Sequence, residues 1–284
     1  SADELVTTYF AHETVKIRNV HFRGNPKAIG AFTSLNGKPH FEQGFLLSTG
    51  LAASVAGPNN TARLSHVNST PGDRMLDDLS RNRTFDGTSI EFDFMCSRDS
   101  VSLAFFFASD EYNEAVGNTF GDVIGIWVTG QGLGQGVNLA KLPDGKFVGV
   151  NAVNVNVNPN FYVDNNPYNL NGSRLPELEK ALDPEVLNSF QYDGMTKVIQ
   201  TGMRVKPKEV YHMKIAIADV GDGEVDSGVF FKGGSFVSEE QLWRIRIREA
   251  REAKRIADSL AYVQFVEDSL ARIAFVEDSL AHEA

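Results

Sequence analysis

The fold predicted by the sequence is mainly β: a two-sheet antiparallel β-sandwich of jelly-roll type followed by one long C-terminal α-helix. Three observations predict it. From Phe45 to Phe236, short β-branched and aromatic runs alternate with clusters of Gly, Asn, Asp and Pro. Helical periodicity is nearly absent from that stretch. From Ser238 onward Gly and Pro disappear, and Glu, Arg, Ala, Leu and Ile dominate the last 47 residues. The predicted division is therefore 1–237 for the sandwich and 238–284 for a helical stalk.

The strands follow in order. Ile90-Glu-Phe-Asp-Phe-Met alternates apolar with polar and predicts a half-exposed strand, whereas Val101-Ser-Leu-Ala-Phe-Phe-Phe-Ala and Asp122-Val-Ile-Gly-Ile-Trp-Val predict strands buried on both faces. Further strands are expected at 147–155, 197–205, 210–218 and 228–236. Gly130-Gln-Gly-Leu-Gly-Gln-Gly is not followed by a helix that could cradle phosphate, so it reads as a hairpin connection. Residues 156–172 hold seven Asn and read as a long loop, and Leu175–Leu182, entered through Ser173, reads as a short surface helix.

Ser238-Glu-Glu-Gln suits a helix N-cap with acidic residues in the first turn. Beyond it a ten-residue repeat carries Asp-Ser-Leu three times and places Leu260, Val263, Val266, Leu270, Ile273, Val276 and Leu280 on one stripe. The steps of 3, 3 and 4 are tighter than a heptad, so the expectation is a stalk that self-associates or binds a protein partner through this stripe. Ser259, Ser269 and Ser279 are candidate O-glycosylation sites in an exported protein.

Composition narrows the function. With 27 basic and 37 acidic residues the net charge is −10, which argues against a phosphate backbone as partner. Nucleic acid is not expected. One cysteine rules out an internal disulfide framework and CxxC metal sites, and the six histidines show no zinc-ligand spacing. No apolar run reaches the ~20 residues of a membrane helix, and no leader opens the chain; Ser1 reads as the start of a cytosolic protein or of a processed mature form.

Carboxylates gather where strands are expected to end. Asp110 and Glu111 close one buried strand, Asn118 and Asp122 open the next, and Asp219, Asp222 and Asp226 follow a third. Interleaved glycines let such a loop turn its oxygens inward around a hard cation, calcium before magnesium because Gly-rich loops suit a loose coordination shell. The same residues would also serve as ordinary solvated turns. A facing pair of acids is also what a glycoside hydrolase needs, which keeps hydrolysis as a lesser alternative.

At these residues the chain resembles the choice-of-anchor L domain family of bacterial, Bacteroidota-type surface proteins. The motifs run in order from Gly44-Phe-Leu-Leu-Ser-Thr-Gly through Phe107-Ala-Ser-Asp-Glu-Tyr, Gly121-Asp-Val-Ile-Gly and Tyr192-Asp-Gly-Met-Thr to Ala216-Ile-Ala-Asp-Val-Gly-Asp-Gly-Glu-Val-Asp-Ser-Gly, spanning roughly 40–237. The family is similar to calcium-dependent peptide-binding domains of bacterial adhesins. The resemblance implies a non-catalytic, extracellular or outer-membrane-associated module that binds calcium and a peptide or glycan ligand. The expected metal residues are Asp110, Glu111, Asn118, Asp122, Asp193, Asp219, Asp222 and Asp226. The alternative is a structural component of an envelope complex, in which calcium only stiffens the loops and the helix drives assembly.

Overall fold

The computed structural model describes residues 1–34, 37–142 and 145–239. They hold thirteen strands: β1 (Val15–Arg23), β2 (Ile29–Thr33), β3 (Gln43–Ser48), β4 (Thr84–Cys96), β5 (Ser100–Ser109), β6 (Val123–Gly130), β7 (Val137–Asn138), β8 (Tyr162–Asp164), β9 (Gly194–Thr196), β10 (Ile199–Arg204), β11 (Val210–Val220), β12 (Ser227–Lys232) and β13 (Val237–Glu239). One sheet runs β1-β4-β11-β6-β7 and the other β2-β3-β12-β5-β9-β8, with β10 and β13 also pairing with β5. Every strand ladder is antiparallel.

Alternation along β4 explains how the sheets face each other. Ile90, Phe92 and Phe94 point into the interface, where they meet Phe45, Phe105, Phe107, Phe231, Ile126 and Ile215. Phe45 stacks on Phe231 with ring centroids 4.8 Å apart, and Phe10 from the N-terminal segment stacks on Phe236 at 4.9 Å. β5 is buried along its whole length because its other face, Ala104, Phe106 and Ala108, packs under Phe190, Tyr192 and Met195. On the first sheet, Val123, Ala216 and Ala218 are covered by Leu76 of the helix Arg74–Ser80. Both of the strands read as doubly buried are therefore roofed on their outer faces.

The sandwich is mainly β as expected, but the fold prediction needs correction at its C-terminal end. Among the described residues there are four short α-helices, the longest Arg74–Ser80, and no long one. Ser238 is not an N-cap. It lies in β13, its hydroxyl accepts from the Arg98 N–H at 3.0 Å and donates to the Ser100 carbonyl, and Val237, Ser238 and Glu239 pair with Ser102, Val101 and Ser100. The open edge at the start of β5 offers backbone partners that outweigh the local preference of a Ser-Glu-Glu run for a helix start. The remainder of the predicted stalk, 240–284, lies outside the described residues, and with it the apolar stripe Leu260, Val263, Val266, Leu270, Ile273, Val276 and Leu280 and the serines Ser259, Ser269 and Ser279.

Two further corrections concern the sandwich itself. Residues 147–155 form turns with only single bridges at Phe147 and Gly149, because Asn154 turns back on its own loop, accepting from the Asn156 and Val157 N–H groups and donating to the Val150 carbonyl. The surface helix is shorter than expected, Pro176–Glu179, and a second one follows at Pro184–Ser189. The Gly-rich run 130–136 does join β6 to β7 as a hairpin connection.

Phe45, Phe105 and Phe231 lie side by side on the inner face of the second sheet, and if this layer carries the packing against the first sheet, Phe231→Ala should lower unfolding free energy by about 3–5 kcal/mol. Val155→Ala, at an exposed position, should change it by less than ~0.5 kcal/mol. Denaturant unfolding of the two variants tests this, and equal losses would show that this layer is not the main interface.

Candidate functional site

Antiparallel register brings the acids together. Ser109 at the end of β5 pairs with Ser227 at the start of β12 and with Gly194 of β9, while Val123 at the start of β6 pairs with Ala218 near the end of β11. Asp110, Glu111, Asp193 and Asp226 therefore emerge from one sheet, and Asp122 and Asp219 from the other, at the same end of the sandwich. All six are buried, with relative exposures of 0–5%.

Backbone and hydroxyl donors absorb much of this charge. Asp122 accepts from the Val220 N–H at 2.9 Å and the Ser227 hydroxyl at 2.6 Å, and its own N–H donates to Glu111 Oε2 at 2.8 Å. Asp110 accepts from the Asp193 and Leu64 N–H groups. Asp193 accepts from the Asn59 amide at 2.7 Å, and Asp226 from the His66 N–H at 2.8 Å and ring Nδ1 at 3.0 Å. Gly50 must lack a side chain here, since a Cβ would lie 1.9 Å from Asp226 Oδ2.

Two oxygens of this set are orphaned: Asp193 Oδ2 and Asp219 Oδ1 are buried with no hydrogen-bond partner among the described residues. Burial is the main reason every one of these acids resists ionising, and neighbouring carboxylates add to it. It raises Asp122 to about 8 and, together with Asp110, Asp193 to about 10. Asp110, Glu111 and Asp219 are pushed well above the usual carboxylate range by burial and then by Asp226, Asp122 and again Asp122, respectively. Burial raises Asp226 as well, against the opposing pull of His66.

A pocket of about 140 Å³ opens over this belt. Asp110, Glu111, Asn118 and Asp222 line it, joined by Glu114, Glu224 and one cation, Arg63. Of the eight predicted metal residues, four thus reach the pocket, and Asp122, Asp193, Asp219 and Asp226 are buried acids of the belt behind it. Asp222 and Asn118 are exposed, Asn118 accepting from the Phe120 N–H in its own turn. Among the described residues, no group of three or more His, Cys, Asp or Glu side chains is arranged to hold a metal ion.

Sequence reasoning missed Glu114, Glu224, Asp86 and His66. Glu224 stands inside the run 219–226 already singled out, and Glu114 lies three residues beyond Glu111, so the signal was close at hand. Asp86 is buried in β4 and accepts from the Asn68 and Thr70 N–H groups at 2.8 and 3.0 Å, and nothing local distinguishes it from a turn residue. His66 meets Asp226 across 160 positions, beyond the reach of any spacing rule.

The belt sets a pH dependence. Asp122 and Asp193 carry folded pKa values above the unfolded carboxylate value, so the folded state binds more protons between about pH 4 and their raised values. Stability from these groups is complete below about pH 4 and is lost as pH rises through 8 and 10. In metal-free buffer Tm should fall steadily from pH 5 to pH 9; a Tm that holds level or rises over that range would contradict the burial assigned to these acids.

No curated protein matches the chain. Three solved structures do, each at 10% identity. One is the carbohydrate-binding module TmCBM61 in complex with β-1,4-galactotriose, covering 78% of this chain and 88% of that one with a TM-score of 0.30. Another is CBM28, a module specific for non-crystalline cellulose, covering 77% and 88% with a TM-score of 0.32. The third is the enzymatically active domain of tailspike protein 4 of bacteriophage CBA120, covering 78% and 19% with a TM-score of 0.22. Scores this low carry no information about function. No helix among the described residues is long and apolar enough to cross a membrane. The family model of the choice-of-anchor L domain matches residues 1–237, further toward the N-terminus than the motifs reach and as far as the first residue of β13. From residue 1 to residue 237 the chain belongs to the choice-of-anchor L domain family, and it is a cell-surface protein.

Proposed function

We propose that the chain is an extracellular ligand-binding module whose carboxylate belt takes up calcium. The observation that carries this reading is the pair of orphaned oxygens, Asp193 Oδ2 and Asp219 Oδ1, inside a belt of six buried acids. An unpartnered buried carboxylate oxygen costs several kcal/mol unless a proton or a cation meets it. At the pH of most extracellular fluids a divalent cation competes with the proton, and carboxylate and carbonyl oxygens are the donor set calcium prefers.

No three of these acids are arranged around one point among the described residues, so the reading requires their side chains to draw together around the ion, in two adjoining sets. Glu111, Asp122 and Asp219, with Asp222 at the pocket mouth, supply one group of oxygens; Asp110, Asp193 and Asp226 supply the other. Bound calcium would contribute positive charge beneath the pocket. Glu224, Asp222 and Arg63 then form a mixed-charge wall against which an extracellular peptide or glycan is held by polar contacts. The reading is one of binding because Asp110, Glu111, Asp122 and Asp226 accept from backbone N–H groups that tie the loops of the belt together.

Calcium at 100 times its Kd should stabilise the fold by about 2.7 kcal/mol, or roughly 5–10 °C in Tm. Exhaustive chelation should reverse the shift. Asp219→Asn gives the sharper test: removing one carboxylate from the belt should cut the calcium-induced shift while the metal-free protein still folds. A calcium response that is absent from the native protein, or unaltered in Asp219→Asn, would overturn the assignment.

A further inference from the structure

A second concavity adjoins the acidic pocket and has the opposite character. It measures about 550 Å³ and is lined by Arg81, Asn82, Asn118, Asn151 and Phe147 among others, and none of the described residues lining it is acidic. In a chain with a net charge of −10 whose carboxylates crowd the neighbouring pocket, a neutral-to-basic wall is a distinct chemical surface. Asn118 lines both pockets, so the segment 117–121 is the partition between them.

The amides in this wall are held in place from behind. Asn82 donates to the Thr119 carbonyl at 3.1 Å and accepts from the Arg83 N–H at 2.8 Å. Asn151 donates to the Asn118 carbonyl at 2.8 Å and accepts from the Gly117 N–H at 2.7 Å. Each carboxamide has two N–H donors and two lone pairs, so each retains one donor and one acceptor after these bonds. Their rotamers are already fixed, which removes the ordering cost that flexible side chains pay on binding.

Three more features complete the surface. Arg81 sits in the left-handed conformation at φ 59° just after the helix Arg74–Ser80, is exposed, and has no hydrogen-bond or ion-pair partner among the described residues. Phe147 packs on the Leu76–Val123 cluster and contributes an apolar ring to the wall. At Gly121 a Cβ would lie 2.3 Å from the Asn151 amide nitrogen, so only glycine leaves that amide in its place.

Fixed amides with one donor and one acceptor each, an unpaired guanidinium and one apolar ring are the complement of a pyranose: vicinal hydroxyls that both donate and accept, above a ring face of C–H groups. We infer that this pocket is a saccharide-binding site, with Asn82 and Asn151 reading adjacent hydroxyls, Arg81 a further hydroxyl or a ring carboxylate, and Phe147 the sugar face. The inference rests on the reading of the chain as a binding module and does not require calcium in the belt.

The test is an array of neutral hexose and hexuronate oligosaccharides probed with the native protein, Arg81→Asn and Gly121→Asn, each with calcium and with chelator. Asparagine tolerates the left-handed backbone at 81, so that variant keeps the fold while removing the guanidinium. The native protein should retain at least one of the two glycan classes, and Arg81→Asn should lower that retention at least tenfold with its Tm and calcium response intact. Selective retention of hexuronates would assign Arg81 to a carboxylate, and of neutral glycans to a hydroxyl. Gly121→Asn, which pushes a side chain into the Asn151 amide, should lose the same ligand. No retention of either class by the native protein, or retention unchanged in Arg81→Asn, overturns the site. A lost calcium response with glycan retention preserved would overturn the calcium reading alone.

Discussion

Six buried carboxylates at one end of a β-sandwich are the constraint on which the rest of this structure depends. No salt bridge to lysine or arginine reaches them among the described residues, and the one nearby imidazole, His66, serves Asp226 alone. Charge of this density in a low-dielectric interior is resisted by desolvation and mutual repulsion, so it persists only with protons, dense hydrogen bonding or a cation. The raised pKa values of Asp122 and Asp193 express that balance in the protein without metal.

The belt also organises the loops. Segments 59–66, 110–122, 191–194 and 219–227 contribute few of the phenylalanines that hold the sheets together. Their order comes from donors that end on carboxylates: Leu64 on Asp110, His66 on Asp226, Asn59 on Asp193, and Val220 and Ser227 on Asp122. Each of these bonds spans a long sequence separation, and a buried donor left without its acceptor would cost about 1–3 kcal/mol. Rigidity at the pocket thus derives from the groups that are electrostatically most costly to bury. A fold stabilised only by its aromatic core would leave the same loops free to wander.

Much of this was legible in the sequence, and the limits have physical causes. β5 and β6 were recognisable because burial on both faces leaves an unbroken apolar run, and the clustering of Asp110, Glu111, Asp122 and Asp219 followed from acids placed at the ends of such runs. β1 and β2 escaped notice because they are short or interrupted edge strands: the alternation Val15-Lys-Ile-Arg is broken at Asn19, where the register with β4 shifts, and β2 has five residues. Residues 147–155 carry strand-like valines, yet Asn154 spends its hydrogen bonds on its own loop. Ser238 shows the reverse case: a local sequence that favours a helix start yields to an open strand edge that only the tertiary fold supplies. Within the acidic pocket, Glu114 and Glu224 were visible as neighbours of chosen residues, whereas the Asp226–His66 pair is a product of topology.

That topology also separates β13 from the carboxylate belt. β5 is ten residues long, about 30 Å at the usual rise of an extended strand. Its first residues pair with β13, which sets Glu239 beside Ser100. Its last residue pairs with Ser227 and leads directly into Asp110 and Glu111. The same strand therefore carries β13 at one end and the carboxylate belt at the other, with a fully buried run between them. Antiparallel pairing makes this separation unavoidable once β12 is hydrogen-bonded to the far half of β5 and β13 to the near half. The acidic pocket, and the amide-lined pocket that shares Asn118 with it, therefore lie toward the end of β5 opposite to the one that β13 covers.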